Sequence, residues 1–418
     1  MTRPRALLVV TGSELVRGER TDRNGPFLAR EILERGLEPA RLTIVGDGEH
    51  ELEAALLEGL AGDLLVTSGG LGPTHDDRTV EVLARVTGRE LRVDEELRRQ
   101  IETVSQNVAD RLRRPYADFE PGVRKQASLP DGATSVGLAG TAPGLVLVHA
   151  GTVVVVLPGP PGELRRLWAS AVESRPMQEL LARARPPGRR VLRLFGVSES
   201  AVSRALAEAG GEPEGVEATI CARDFEIHVD LVVEPGAERA GDELESALAG
   251  SLERWLFARD QRTIEEQVLA LCRARGLTLA TAESCTGGLV AERLTRVPGS
   301  SDVFLGAIVA YADEVKAAQL GVPEALIREH GAVSAEVAGA LAVGARERLG
   351  ADVAVGITGV AGPGGGTPEK PVGLCYVAAE TPDAARVVDF SYPADREAIR
   401  SRAAAAALHL VRRLLTRT

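Results

Sequence analysis

The chain has 418 residues, 44% hydrophobic and 26% charged, enough for two or three domains with cores of their own. A formal net charge of −11 argues against a general nucleic-acid binder. No window is long and apolar enough to span a membrane, and the apolar run after Met1 is too short for a signal peptide. The four cysteines, Cys221, Cys272, Cys285 and Cys375, have no paired spacing, so neither a zinc site nor a disulfide framework is indicated. A cytoplasmic protein is the expectation.

In chain order, Ala6 to Val10 reads as a buried strand, with Thr11-Gly12-Ser13-Glu14 as the loop after it. Asn24 to Gly36 reads as an amphipathic helix, with Phe27, Leu28, Ile32 and Leu33 on one side. Arg41 to Val45 is a second strand, ending in Gly46-Asp47, and Glu49 to Leu60 a second helix. Asp63 to Thr67 is a third strand, and a glycine-rich loop over residues 68–79 follows it. The alternation predicts an α/β domain with a parallel sheet covered on both faces. Ligands bind such sheets at the carboxyl ends of the strands, where all three loops fall.

The loop Gly69-Gly70-Leu71-Gly72-Pro73-Thr74 leads to Asp76-Asp77. Backbone N–H groups of a glycine-rich turn can cradle phosphate. Adjacent carboxylates can hold a hard divalent cation that grips a diphosphate. The alternative is a plain turn whose aspartates cap the next helix.

The stretch 183–190, with Pro-Pro-Gly and four arginines, breaks the pattern. A strand from Val191, a helix opened by Ser198, strands over 218–223 and 226–233, and a helix from Asp242 to Trp255 make a small α+β unit. It lacks a Gly-X-X-Gly clamp of the RNA-binding kind, and its acidic second half favours a spacer or dimer-contact role. His228 alternates within its strand and reads as a face residue. Residues 258–262 form the expected linker.

In the last part, Thr263 caps a helix from Ile264 to Arg275. The run Leu277 to Ala280 is a short strand. Thr281-Ala282-Glu283-Ser284-Cys285-Thr286-Gly287-Gly288 then turns into a helix. A serine on a tight strand-to-helix turn is exposed at the carboxyl end of a sheet, near free backbone N–H groups. It needs a base. Lys316 can serve if neutral, with Tyr311 relaying or orienting, both just beyond the strand 304–310. The alternative is a strand-end serine with a surface lysine. Ser334 caps a helix through Glu347, 351–357 is a buried strand, and the loop Thr358 to Thr367 carries amides suited to a phosphate or an oxyanion. A helix closes the chain over 397–415.

These motifs resemble the CinA (competence/damage-inducible protein) family over nearly the whole chain. Gly12-Ser13-Glu14, the 69–74 loop, Asp76-Asp77, Thr79, Lys125-Gln126-Ala127, Gly140-Thr141-Ala142-Pro143-Gly144 and Leu157 to Glu163 match its amino-terminal domain. That domain is similar to molybdopterin-binding proteins. The resemblance implies a metal-dependent ADP-ribose pyrophosphatase yielding AMP and ribose 5-phosphate. Its cofactor would be a divalent metal, Mg²⁺ or similar, with potassium as a further ion. Glu14, Asp76 and Asp77 would hold the metal or activate water, with Asp76 and Asp77 as the ligands. Gly69, Gly70, Gly72 and Thr74 would hold phosphate, and Asn24 and Asp47 the ribose or base. The family commonly has asparagine before the Gly-Thr-Ala-Pro-Gly motif. Here the stretch reads Val136-Gly137-Leu138-Ala139, which weakens a side-chain contact there. The middle unit resembles a KH-like domain.

The 280–288 turn, Gly331-Ala332-Val333-Ser334 and the 358–373 stretch resemble the family's carboxy-terminal domain. This implies a nicotinamide mononucleotide deamidase needing no cofactor. Ser284 would be the nucleophile, Lys316 the base and Tyr311 its helper. Backbone N–H groups near Thr286 and Gly287 would hold the oxyanion, with Gly288, Thr358, Gly359, Gly362, Gly364, Gly365, Arg396 and Arg400 at the substrate. Cys285 is a rival nucleophile. Asp313 replaces the usual asparagine, and a carboxylate there would weaken Lys316 as a neutral base. The expected domains are 1–170, 171–257, the linker 258–262, and 263–418. The expected partners are nicotinamide mononucleotide, ADP-ribose and a second copy of the chain, with no membrane and no nucleic acid. Two other readings share the motifs: a nucleotide- or pterin-binding scaffold for competence or recombination, and molybdopterin handling.

Overall fold

The computed structural model describes residues 3–416; residues 1, 2, 417 and 418, at the ends of the two outer domains, lie outside the described residues. It forms two compact units, Met1–Gly188 and Arg189–Thr418. The first contains β1 (Arg5–Thr11), α1 (Gly25–Glu34), β2 (Glu38–Val45), α2 (Glu49–Gly59), β3 (Leu64–Ser68) and α3 (Thr79–Val86). Further along come α4 (Glu120–Gln126), β4 (Thr134–Leu138), β5 (Pro143–His149), β6 (Thr152–Leu157), α5 (Pro161–Val172) and α6 (Arg175–Leu181).

The sheet order is β2-β1-β3-β6-β5-β4. Its first four strands are parallel, as expected. The last two pairings, β6 with β5 and β5 with β4, are antiparallel, so β5 runs against the other strands, which corrects the all-parallel expectation. The cause is local. Ala150 and Gly151 both have positive φ, so β5 and β6 are joined by a two-residue hairpin, and a hairpin permits only antiparallel pairing. Alternate residues of the central strands feed two cores. Leu8, Leu64, Val66 and Val155 pack with Leu28, Ile32 and Trp168. Val9, Leu65, Val154 and Val156 pack on the other face with Leu56, Leu83 and Ile101. Met177 and Leu180 belong to the first of these cores, so the unit runs to Gly188, past the boundary expected at 170.

The second unit holds two sheets. β7 (Gly188–Phe195), α7 (Glu199–Glu208), β8 (Val216–Arg223), β9 (Glu226–Val233), α8 (Glu238–Ser251) and β10 (Leu256–Ala258) give a sheet ordered β8-β9-β7-β10. Here α8 ends four residues before the expected Trp255, and the end of the middle unit forms β10, which pairs with β7 and reaches the first residue of the expected linker, Ala258. Then follow α9 (Ile264–Ala274), β11 (Leu279–Glu283), α10 (Leu289–Thr295), β12 (Phe304–Val309), α11 (Asp313–Leu320), α12 (Ala335–Leu349), β13 (Val353–Gly359), β14 (Leu374–Glu380), β15 (Ala385–Ser391) and α13 (Arg396–Thr416). Their sheet is ordered β12-β11-β13-β14-β15, with β12, β11 and β13 parallel and β14 and β15 antiparallel to their neighbours. Thr263 makes a full capping box with Glu266, and Ser334 caps α12 through the Val337 N–H at 3.3 Å.

The two sheets share a buried contact. His409 of α13 is 1% exposed. Its ring stacks on Phe195 at 3.8 Å between centroids and meets Phe257 edge-on at 4.7 Å. Its Nε2 hydrogen-bonds to Glu226 Oε1 at 2.8 Å, while the other Glu226 oxygen lies 3.2 Å from His228 Nε2. Burial pushes His409 down to about 4, against the pull of Glu226. Burial works to raise Glu226, but the hydrogen bonds from His228 and His409 outweigh it and hold the carboxyl below its ordinary value. No described helix is long and apolar enough to cross a membrane.

Candidate functional site

In the first unit the loops after β1, β2 and β3 meet at the carboxyl end of the sheet. The Ser13 N–H donates to Asp47 Oδ2 at 2.9 Å, and the Asp47 N–H donates to Ser13 Oγ at 3.2 Å. Asp47 therefore ties two loops together. Asn24, 7% exposed, donates from Nδ2 to Ser68 Oγ at 2.9 Å and to the Gly159 carbonyl at 2.7 Å. Its Oδ1 is buried without a partner among the described residues. Asn24 and Glu14 line a cavity of about 710 Å³ with Arg20 and Arg23. A ligand hydroxyl or amine there would satisfy the orphaned acceptor.

The glycine-rich loop is held from both sides. Gly69 has φ of 106°, and a Cβ there would lie 2.5 Å from Thr11 Oγ1 and 2.6 Å from the Thr11 carbonyl oxygen. Only glycine fits. Thr79 Oγ1 donates to the Gly69 carbonyl at 2.8 Å, and Gln126 Nε2 donates to that of Leu71 at 2.9 Å. The N–H groups of Gly70, Leu71 and Gly72 have no acceptor among the described residues. Gly70, Gly72, Asp77, Arg124 and Lys125 line a second cavity of about 340 Å³.

The carboxylates expected to act together are divided. Glu14 lines the first cavity and Asp77 the second. Asp77 Oδ2 accepts from the Thr74 N–H at 3.0 Å and from the Thr74 hydroxyl. Asp76 is exposed and takes no side-chain hydrogen bond among the described residues, since the Thr74 hydroxyl is given to Asp77. No three His, Cys, Asp or Glu side chains gather to hold a metal ion among the described residues. Asp76 and Asp77 still offer adjacent hard oxygens. That fits an ion such as Mg²⁺, which takes one or two carboxylates and completes its shell with water and substrate phosphate. Sequence reasoning missed Glu163, whose carboxylate fills the space a side chain would need at Gly140. Burial pushes this carboxyl up, with Arg166 opposing.

In the second unit, β11 delivers Ser284 to the carboxyl end of its sheet. The Ser284 N–H donates to the Ile357 carbonyl at 3.0 Å, and the Gly287 N–H closes the turn on the Ser284 carbonyl at 3.1 Å. Gly287 and Gly288 have φ of 63° and 94°. Glu283 is fully buried. It accepts from the N–H groups of Gly288, Val290 and Ala291 at 3.0, 3.0 and 2.9 Å, and from Thr281 Oγ1 at 3.2 Å. A helix start leaves its first N–H groups without partners, and here one carboxylate takes three of them. The Gly288 amide is thus committed to Glu283, and the Gly287 amide, expected near the oxyanion, to the Ser284 carbonyl. The Thr286 N–H has no acceptor among the described residues, and its hydroxyl is buried without a partner.

Glu283 pairs with Val309, and the Ala310 N–H donates to the Glu283 carbonyl at 2.9 Å. This register sets Tyr311 beside the serine turn. Lys316, 2% exposed, donates from Nζ to the Tyr311 carbonyl at 2.9 Å and to Asp313 Oδ1 at 3.1 Å. Tyr311 thus holds Lys316 through its backbone. Its hydroxyl turns outward and accepts from Arg396 Nη2 at 2.6 Å. No hydrogen bond joins the Ser284 hydroxyl to Lys316 or to the Tyr311 hydroxyl among the described residues.

The first turns of α13 complete the site. Arg396 Nη1 donates to the Gly362 carbonyl at 2.6 Å, and Arg400 Nη2 donates to the Thr286 carbonyl at 2.7 Å. Thr358 Oγ1 is spent on the Ala332 carbonyl at 2.7 Å. Gly359 ends β13 opposite Cys375. The N–H groups of Gly362, Gly364 and Gly365 have no acceptor among the described residues. Cys285, the rival nucleophile, is buried in the core with Cys375. The hydrogen bond with Cys285, then burial, push the Cys375 thiol up; the same bond draws Cys285 down against burial.

A family profile described as "CinA C-terminal domain" matches residues 261–415, and one described as "Probable molybdopterin binding domain" matches residues 7–178. The CinA-like protein of Mycolicibacterium paratuberculosis (strain ATCC BAA-968 / K-10) is 44% identical over 99% of this chain and 98% of its own. That of Mycobacterium tuberculosis (strain ATCC 25618 / H37Rv) is 43% identical over 99% and 97%. The crystal structure of the competence/damage inducible protein CihA from Agrobacterium tumefaciens is 37% identical, covers 38% of this chain and 99% of that one, and has a TM-score of 0.36.

Proposed function

The chain belongs to the CinA-like protein family, and from that premise we propose that it is a two-activity hydrolase of pyridine-nucleotide salvage. The second unit would deamidate nicotinamide mononucleotide. The observation that carries this reading is the convergence at one sheet end of a serine turn, a buried lysine and two arginines.

In the proposed reaction the substrate phosphate lies against the free amides of the 362–365 loop and the Arg396 guanidinium, a charge-assisted pairing. Ser284 Oγ attacks the carboxamide carbon as its proton passes to the neutral Lys316 amine. The oxyanion is met by the Thr286 N–H. Collapse breaks the C–N bond, and Lys316 returns the proton to the departing ammonia. Water then attacks the acyl ester, again giving a proton to Lys316, and nicotinate mononucleotide leaves with Ser284 restored. The missing Ser284–Lys316 hydrogen bond is the kind that tightens when substrate docks. Ammonia release from nicotinamide mononucleotide, compared between wild type, Ser284→Ala and Lys316→Ala, tests the reading. Full turnover in either variant would reject it.

The first unit would hydrolyse ADP-ribose to AMP and ribose 5-phosphate. A divalent ion, when bound, would neutralise diphosphate charge and polarise the scissile P–O bond. Asp76 and Asp77 would hold it, the 70–72 amides would receive a phosphate, and Asn24 Oδ1 would accept from the nucleoside. AMP release from ADP-ribose, with and without Mg²⁺, tests this half. A second reading follows from the molybdopterin-binding profile over residues 7–178. In it the same amides hold a pterin phosphate without turnover. Pterin binding with no AMP release would favour it.

A further inference from the structure

One hairpin of the middle sheet reaches the helix that carries the two arginines of the serine site. β8 and β9 are joined by Asp224-Phe225, with φ of 51° and 66°. A two-residue hairpin of this kind needs left-handed backbone at both positions and prefers glycine at the second. A phenylalanine there is strained, because its Cβ crowds the following carbonyl. The ring's contacts are what the strained position provides. It meets the Tyr392 ring edge-on at 5.5 Å between centroids. The Arg402 guanidinium of α13 lies over the Phe225, Phe390 and Tyr392 rings at 5.8, 5.2 and 4.9 Å. Arg402 Nε is buried with no hydrogen-bond partner, so the faces of these rings are what attracts its charge.

Both partners of Phe225 lead to the serine site. Arg402 stands two residues after Arg400, whose guanidinium holds the Thr286 carbonyl at 2.7 Å. Tyr392 lies four residues before Arg396, and its N–H donates to the Gly373 carbonyl at 3.1 Å. The Gly373 N–H donates in turn to the Val360 carbonyl at 2.8 Å, at the base of the glycine-rich loop. The next residue of the hairpin, Glu226, bonds His409, two turns further along α13. The hairpin end thus grips α13 at two points. We propose that Phe225 is a positioning residue for deamidation. It fixes the start of α13, and so Arg396 against the substrate phosphate and Arg400 against the serine turn. This rests on the deamidase reading of that site and gives the middle sheet a part in it.

The test is Phe225→Gly in the full chain. Glycine removes the ring and the strain together, so the hairpin itself should still form. KM for nicotinamide mononucleotide should rise about tenfold with kcat within about threefold, the pattern of a lost binding contact. Phe225→Tyr keeps the aromatic face and should restore KM. Hydrogen exchange reads the bracing without substrate. Amides over residues 400–406 should exchange faster in Phe225→Gly, while those of α9 keep their wild-type rates. An unchanged KM in folded Phe225→Gly would overturn the proposal, as would unchanged exchange over 400–406. A loss of rate that only follows the folded fraction would overturn it too, since a merely structural role gives that. A wild type that releases no ammonia would reject the deamidase reading instead, and the exchange rates alone would then decide whether Phe225 positions the arginines.

Discussion

Lys316 Nζ, buried at the start of α11, lies 3.1 Å from the carboxylate of Asp313, whose side chain is half exposed. Asp313 thus sets a partly exposed negative charge against the group that acts as base in the proposed reaction. Asp313→Asn is expected to raise the deamidation rate at neutral pH by about three- to tenfold, the scale of losing a partly exposed pair of about 1 kcal/mol. Ammonia release from pH 6 to pH 9 measures this. A rate that falls in Asp313→Asn would assign Asp313 to holding Lys316 in place.

Ser284 and Cys285 are neighbours, both buried, and only Cys285 belongs to the apolar core. Ser284→Ala should lower ammonia release by about a thousandfold or more with an unchanged unfolding transition. Cys285→Ala should keep turnover within about threefold, because its thiol packs against Cys375 in the core. The opposite pattern would move the nucleophile to Cys285.

Glu283 fixes the turn that carries the nucleophile. Glu283→Ala strands three N–H groups in the interior and should cost roughly 2–4 kcal/mol of stability. Urea unfolding measures it. Turnover should fall further than the folded fraction explains, since Ser284 loses the support beside it. A stability loss near zero would mean that water replaces the carboxylate.

The His409–Glu226 contact makes the second unit sensitive to acid. His409 titrates near 4 when folded, against an ordinary 6.5. Below 6.5 the unfolded chain therefore binds a proton that the folded chain refuses. Stability should fall by up to about 1.4 kcal/mol per pH unit as pH drops from 6.5 toward 4. Glu226, held below its ordinary value, contributes stability above that value and loses it at still lower pH. In His409→Phe the slope above pH 5 should flatten. Midpoints of thermal unfolding across pH 4 to 8 read this directly, and an unchanged slope in the variant would place the acid sensitivity elsewhere.

In the first unit, Asp77 and Glu14 line different cavities. Asp77→Asn should raise the Mg²⁺ concentration for half-maximal ADP-ribose hydrolysis by roughly tenfold, the cost expected of a lost charged ligand. Glu14→Gln should lower the maximal rate with the Mg²⁺ requirement unchanged. A shared shift in Mg²⁺ dependence would bring both carboxylates to one ion.

The features legible in the sequence were those set by near neighbours. The β3 glycine loop, the serine turn after β11 and the caps Ser198, Thr263 and Ser334 all depend on spacing within a few residues. The contacts made across the fold were not. That the Tyr311 carbonyl, rather than its phenol, grips Lys316 follows from the register of β12 on β11. Asn24 bridging Ser68 and Gly159 joins segments 44 and 135 residues away. Glu283 is legible as a carboxylate just before a helix start, a cap signal, but the three N–H groups it takes at once are set by the turn of the Gly287-Gly288 backbone. The antiparallel β5–β6 pair hides in Ala150-Gly151, because Ala is a poor marker of a turn with positive φ.

Phe195, stacked flat on His409, is supplied by the middle sheet and covers the closing helix of the last one. A fragment beginning at residue 263 would carry His409 without Phe195, Phe257 or Glu226. It would bring to the surface a patch the whole chain keeps dry, and would be prone to self-association. In this chain the last domain leans on the middle one for the cover of its closing helix.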